Sequence, residues 1–289
     1  MKLYIYAKSG HRVGMEHLRR CSAIARSLSS CEPVLCTEDF RAATFAKQEL
    51  GVKKTVGIDA IGNLPTMMER GDMLIYDGGS DLSEENLEKM QEFCTHLYHV
   101  GDAIAYEVCD SSFFQPVEKT RQSLLFFADD DYHNWFLDFC EGSQKHDIPL
   151  LMGHYFFLNN EAKLEHSFKE LIEDVDYAQA IRSSKYLLTA TVHSALESLA
   201  SGNHPVYFQR QDREPEDHVH LLETYNIPVI SADNLDGLME AFCKVVDDYP
   251  QTKVHKPVDL SGIEKEILDT LHAHAHIMPA MDYGIHDRY

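Results

Sequence analysis

Leu3-Tyr4-Ile5-Tyr6, then Ala7-Lys8-Ser9-Gly10-His11-Arg12-Val13-Gly14-Met15-Glu16, then His17-Leu18-Arg19-Arg20-Cys21 is the stretch that decides the fold. The first four residues read as a β-strand. Gly10 and Gly14 permit tight backbone turns in the connection that follows. From Glu16 or His17 onward the apolar period changes, and Leu18, Cys21, Ile24, Ala25 and Leu28 fall on one face of a helix. A strand feeding through a glycine-bearing loop into an amphipathic helix is the unit from which parallel α/β sheets are built.

The alternation continues outward from this unit. Strands are expected at 33–36, 55–58, 73–76 and 96–100, with helices at 40–50 and 84–95. Residues 110–122 break the rhythm and read as a linker. A second series follows, with strands at 123–127, 149–152, 186–189 and 205–208. Its helices fall at 134–140, 165–173, 194–201, 218–225 and 235–247. A last helix, 263–276, is placed to pack back on the first half. The fold class is therefore α/β, with two Rossmann-like parallel-sheet domains facing a cleft. Residues 1–115 form the first, 123–260 the second, nucleotide-binding in type, and 261–289 a C-terminal helix and tail. Ligands of open parallel sheets bind outside the carboxyl ends of the strands, so the loops after each strand are where chemistry is expected.

Composition narrows the partners. In 289 residues, 26 Lys and Arg against 47 Asp and Glu leave a net charge of −21. Such a field repels phosphate backbones and anionic headgroups, which argues against nucleic acid and against a polybasic membrane anchor. A small anionic ligand stays possible, because a helix start and a few local Arg or Lys residues can hold phosphate. No apolar run approaches a membrane span, and the start of the chain reads as a strand rather than a signal peptide. Seven scattered cysteines without CxxC spacing fit reduced thiols in a cytoplasmic protein. Oligomeric state is not legible.

Three loops carry candidate residues. In the first, His17 stands in the first helical turn, where the helix dipole disfavours its protonated form; a neutral imidazole facing a cleft suits a general base. The plainer reading is a polar residue at a helix start. The second loop, Thr191 to Gly202, leads from a strand into a helix whose free N–H groups suit a diphosphate. Ser194 as N-cap and Glu197 three residues on would also make an ordinary capping box. The third loop, Gln209 to His218, is rich in hydrogen-bonding groups that suit sugar hydroxyls, or simply a solvated surface. His272, His274 and His276 recur every second residue, a spacing that does not share one helical face, so no metal site is assigned.

At these loops the sequence resembles a family. Gly14-x-x-His17-x-x-Arg20 resembles the Gly-x-Gly-His-x-x-Arg motif of the UDP-sugar hydrolases of pseudaminic acid synthesis. Those enzymes have the glycosyltransferase-B fold and are close to the peptidoglycan N-acetylglucosaminyltransferase. Thr191 to Val206 resembles the family's Ser/Thr-x-x-Glu-x-x-x-x-Gly-x-Pro signature, in which Glu197 takes the place of the ribose-binding glutamate. Phe208 to Arg213, followed by Leu221-Leu222-Glu223, resembles the sugar-contacting loop after it. The resemblance implies a nucleotide-sugar enzyme that releases UDP from a UDP-amino sugar in bacterial surface-glycan synthesis. His17 would be its catalytic base. Gly14, Arg20, Asp77, Ser194, Glu197, Arg210, Asp212 and Arg213 would bind the substrate. It implies no separate cofactor, the UDP-sugar being the substrate, and no metal, because helix dipole and basic side chains neutralise the diphosphate.

The sequence also departs from that pattern. Glu16 stands where the family's second motif glycine would be, and Asp77-Gly78-Gly79 lacks its tyrosine. Ala128-Asp129 or Asp129-Asp130 replaces a Gly-Gly, and Val192-His193 replaces the glycines before the ribose-binding helix. Each change puts a side chain, several of them acidic, where backbone alone would cradle phosphate. The alternative is therefore a divergent, non-catalytic binding protein on the same fold.

Overall fold

The computed structural model describes residues 1–58, 60–78, 84–154 and 161–277. Gly79 and the tail 278–289 lie outside the described residues. Strands β1 (Leu3–Ala7), β2 (Val34–Thr37), β3 (Thr55–Gly57), β4 (Met73–Asp77) and β5 (His96–His99) form one sheet in the order β3-β2-β1-β4-β5. Strands β6 (Arg121–Phe126), β7 (His146–Leu151), β8 (Phe168–Ile172), β9 (Ser184–Thr189), β10 (His204–Phe208) and β11 (Val229–Ile230) form the other, β11-β10-β9-β6-β7-β8. The pairs in both sheets are parallel. Both sheets follow the doubly wound order that runs outward from a central first strand. The strand order reverses between β1 and β4 in one, and between β6 and β9 in the other.

Alternation along the strands explains why both faces are covered. Leu3, Ile5 and Ala7 of β1, with Met73 and Ile75 of β4, pack under the helix Glu16–Ser27 through Leu18, Cys21 and Ile24. Tyr4, Tyr6, Leu74 and Tyr76 point the other way into a second core. In the second sheet Leu125 and Leu188 face one core, while Leu124, Phe126 and Leu187 face another. The last helix, Ser261–Ile277, returns to the first half: Ile267, 0% exposed, and Leu260 belong to the core beneath β1.

One expected element is corrected. Residues 165–173, whose apolar spacing suits a helix, contain strand β8, paired with β7. Phe168 and Ile172 are its buried residues, and a separation of four fits a helix face and a strand face alike. The unpaired edge of β7 decides between them. The short strand β11 and the helix Tyr177–Arg182 are further elements that the spacing does not announce.

Candidate functional site

The loop after β1 folds on itself, the Gly10 carbonyl accepting from the N–H groups of Val13 and Gly14 at 3.0 and 2.8 Å. It is tied to β4 by the Lys8 N–H, which donates to the Asp77 carbonyl at 3.0 Å. Gly14 has φ +80°, and a Cβ there would lie 3.1 Å from Cβ of Asp129 in the other domain. Its role in the structure is this close approach between domains.

Beyond Gly14 the helix sets Glu16, His17 and Arg20 around the end of β4. His17 Nδ1 lies 2.7 Å from Asp77 Oδ1. Arg20 Nε donates to Asp77 Oδ2 at 2.8 Å, Nη2 to Oδ1 at 3.2 Å, and Nη1 to Glu16 Oε1 at 3.1 Å. Burial opposes ionisation of Asp77, but the charges of Arg20 and His17 outweigh it and hold the carboxyl well below the usual range. Nδ1 of His17 faces Asp77 at 2.7 Å and the Arg20 Nη2 donor at 3.1 Å; with its proton given to the nearer carboxylate, a neutral ring keeps its lone pair on Nε2. Arg20 is 0% exposed, with its guanidinium 3.9 Å above the Tyr106 ring. The Tyr106 hydroxyl donates to Glu16, and its ring stacks on His218 at 4.1 Å.

The second domain brings its own strand ends to the same place. Asp129 follows β6 and receives the Arg19 guanidinium across the interface, Nη2 donating to Oδ1 at 3.1 Å and Nη1 to Oδ2. Asp130 accepts from Arg210 at 2.6 Å and from Arg213. Arg210 is held further by Asp212, with Nε 2.9 Å from Oδ1. Arg213 is also paired with Glu216.

The capping box expected on Ser194 and Glu197 is not what starts the helix Val192–Ala200. Thr191 is its N-cap, accepting from the Ser194 N–H at 3.3 Å. The Val192 N–H donates to Glu216 Oε2 at 2.7 Å. Ser194 and Glu197 are turned to Tyr177, whose hydroxyl is 2.7 Å from Ser194 Oγ and donates to Glu197 Oε2 at 2.5 Å. Glu197 lines a separate cavity of about 160 Å³ together with Arg19.

A cleft of about 400 Å³ lies between the domains, over the point in each sheet where the strand order reverses. Lys8, Arg12, Glu16, His17, Asp77, His99 and Tyr106 line it from the first domain. Asp130, Arg213, Glu216, Asp217 and His218 line it from the second. Among the expected residues the fold therefore brings His17, Asp77 and Arg213 to one cleft, with Arg20 buried behind them. Gly14 and Arg210 serve as interface and support, Asp212 holds Arg210, and Ser194 and Glu197 face elsewhere. Lys8, Arg12, Asp130 and Glu216 could have been found from the rule that strand ends carry the site. Nothing in the sequence marks Tyr106.

Arg19, Arg20, Arg210 and Arg213 are each already held by a carboxylate. A phosphate entering this cleft meets arginines that are charged but engaged, and has to compete for them. Among the described residues no group of three His, Cys, Asp or Glu side chains is placed to hold a metal ion. No helix there is long and apolar enough to cross a membrane.

Two parallel sheets in this order, facing each other across a cleft at their strand ends, are the glycosyltransferase-B fold. No family model matches the sequence, and no curated protein does. Solved structures resemble the chain in architecture. The UDP-GlcNAc 2-epimerase of Methanocaldococcus jannaschii, solved with UDP-GlcNAc and UDP, superposes with a TM-score of 0.54 at 11% identity, over 94% of this chain and 100% of its own. A provisionally named UDP-N-acetylglucosamine 2-epimerase from Listeria monocytogenes gives 0.52 at 11% identity, over 96% and 98%. At this identity the likeness is one of fold.

Proposed function

We propose that this chain is a nucleotide-sugar-processing enzyme that hydrolyses a UDP-amino sugar in the interdomain cleft. The observation that carries the reading is the His17–Asp77 pair, 2.7 Å apart and facing that cleft. Asp77 orients the ring and leaves Nε2 to act as base. His17 takes a proton from water, the water oxygen bonds to the anomeric carbon, and the bond from that carbon to the diphosphate breaks. Lys8, Arg12 and Arg213 are the cations lining the cleft that can meet the charge on the departing UDP. The similarity in fold to structures of UDP-GlcNAc 2-epimerases supports a nucleotide sugar as the ligand class. A bacterial surface-glycan pathway, of the pseudaminic acid type, is the setting the motif resemblance suggests.

The second reading is a divergent binder without catalysis. It is favoured by the Glu216 carboxylate at the helix start and by the engaged arginines. Incubation with UDP-N-acetylglucosamine in D2O, followed by phosphorus and proton NMR, tests both. Free UDP with the reducing sugar supports hydrolysis. A 2-epimer carrying a solvent deuteron would make the reaction an epimerisation by the same base. Calorimetric binding without turnover would favour the divergent binder, and no binding at millimolar nucleotide would overturn the nucleotide-sugar reading.

A further inference from the structure

A carboxylate of the protein itself sits at the start of one second-domain helix. One Glu216 oxygen takes the Val192 N–H at 2.7 Å, at the start of the nine-residue helix Val192–Ala200. The other takes the Arg213 guanidinium, and the side chain is 13% exposed. A helix N–H and an arginine are the two partners that a phosphate oxygen seeks.

Glu216 lies on the irregular loop between β10 and the helix His220–Thr224, and this loop is held against the first domain. His218 is its anchor: it stacks on Tyr106 at 4.1 Å and adopts φ +63°. That conformation is costly for a residue with a side chain. A Cβ on Gly101, whose φ is +96°, would lie 2.6 Å from His218 Cε1, so only glycine lets the imidazole seat there. The loop thus straps the two domains together with Glu216 seated at its centre.

We propose that Glu216 is an autoinhibitory occupant of the anion seat, a built-in stand-in for phosphate that a nucleotide diphosphate must displace in order to bind. This rests on the nucleotide-sugar reading of the cleft. Displacement transfers the Val192 N–H and Arg213 to the ligand, and the leaving carboxylate lifts the strap.

The same geometry makes the exchange sensitive to pH. Burial, then the neighbouring charge of Glu16, raise Glu216 from the usual 4.5 to about 7, against the opposing pull of Arg213 and Arg210. Tyr106 from the first domain and Tyr207 from β10 also face it. A protonated Glu216 gives up its attraction to Arg213 and its repulsion of an incoming anion, so nucleotide enters more readily below this pH.

The test is calorimetric titration with UDP-N-acetylglucosamine, whose diphosphate does not titrate near neutrality. Wild type and Glu216→Gln are compared at about pH 6 and about pH 8.5, with circular dichroism to check that both are folded. The wild type should bind about tenfold more weakly at the higher pH, one linked proton allowing at most about tenfold per unit. Glu216→Gln should bind at least about tenfold tighter than wild type at pH 8.5, with a flatter pH profile. Binding by the variant at both pH values, with wild type binding only at the lower, would support the proposal most directly. If both bind and the variant is no tighter at pH 8.5, the occupant idea is overturned while the nucleotide-sugar reading stands. If neither binds, both fall. Should the glutamine variant unfold, Glu216→Asp, one methylene shorter, gives the same comparison through a weakened contact with Val192.

Discussion

Asp77 divides its two oxygens between His17 Nδ1, at 2.7 Å, and Arg20 Nε, at 2.8 Å, so one carboxylate both orients the proposed base and neutralises a fully buried cation. Asp77→Asn should therefore fail twice. Turnover of UDP-N-acetylglucosamine should drop about a hundredfold or more as the imidazole loses its tautomer. Stability should fall by about 3 kcal/mol because the buried Arg20 loses its bidentate carboxylate and keeps only Glu16 as a charged partner. His17→Ala separates the two effects. His17 is 21% exposed, so its loss should remove the activity while the Tm stays within about 2 °C of wild type. Steady-state kinetics and thermal melts on the two variants check this, and equal melts would sink the dual role of Asp77.

The cross-domain pair of Arg19 with Asp129 invites a double-mutant cycle. Arg19 lies 3.8 Å over the Tyr177 ring, with both members of the ion pair buried. Asp129→Ala alone should cost about 3–5 kcal/mol by leaving the guanidinium unpaired, whereas Arg19→Met with Asp129→Leu should recover most of that loss. Urea unfolding measures the coupling, and additive effects would show that the pair does not hold the domains.

Stability should respond to acid and to neutral pH with opposite signs. The depressed pKa of Asp77 adds stability that is present above the ordinary carboxylate range and is lost as the pH falls through its folded value. The raised pKa of Glu216 does the reverse. Its favourable contribution is complete below 4.5 and disappears as the pH rises through about 7. Glu216→Gln should then melt at about the wild-type temperature at pH 5 and several degrees higher at pH 8. Differential scanning calorimetry across this range reads the difference, and a constant offset would contradict it.

Gly14→Ala should destabilise by about 1–2 kcal/mol. Its φ of +80° strains any side chain, and the added Cβ would meet Asp129 at 3.1 Å. Gly142→Ala serves as the control, since it shares a positive φ of +74° but has open space around the added carbon. The excess loss at Gly14, read from chemical denaturation, is the contribution of the domain contact.

Much of the first domain is legible from residue order. The β1 tetrad, the two loop glycines and the helix face of Leu18, Cys21 and Ile24 contain their own periodicity, and His17 follows from its place after a strand end. The helix Leu235–Asp247 matches its expected bounds for the same reason: its apolar pattern is long and Asn234 caps it through the Gly237 N–H. The segment around Phe168 and Ile172 fails the same reading because five residues are too few to separate one period from the other.

The sequence by itself determined that there are two strand-first α/β halves, because hydrophobic periodicity and glycine placement are local properties. It also determined which loops lie at the carboxyl ends of the strands, because strand order along the chain is legible and the sheets are parallel. Only the tertiary structure decided what those loops do. Asp77 finds His17 across 60 residues, Arg19 finds Asp129 across 110, and Glu216 reaches back 24 to the Val192 N–H. Buried charges must be paired wherever the fold places them, and no pattern of neighbours along the chain records that pairing. The tertiary structure likewise turned Glu197 toward Tyr177 and put Glu216 at the helix start, because charge and hydrogen-bond demand are settled in space.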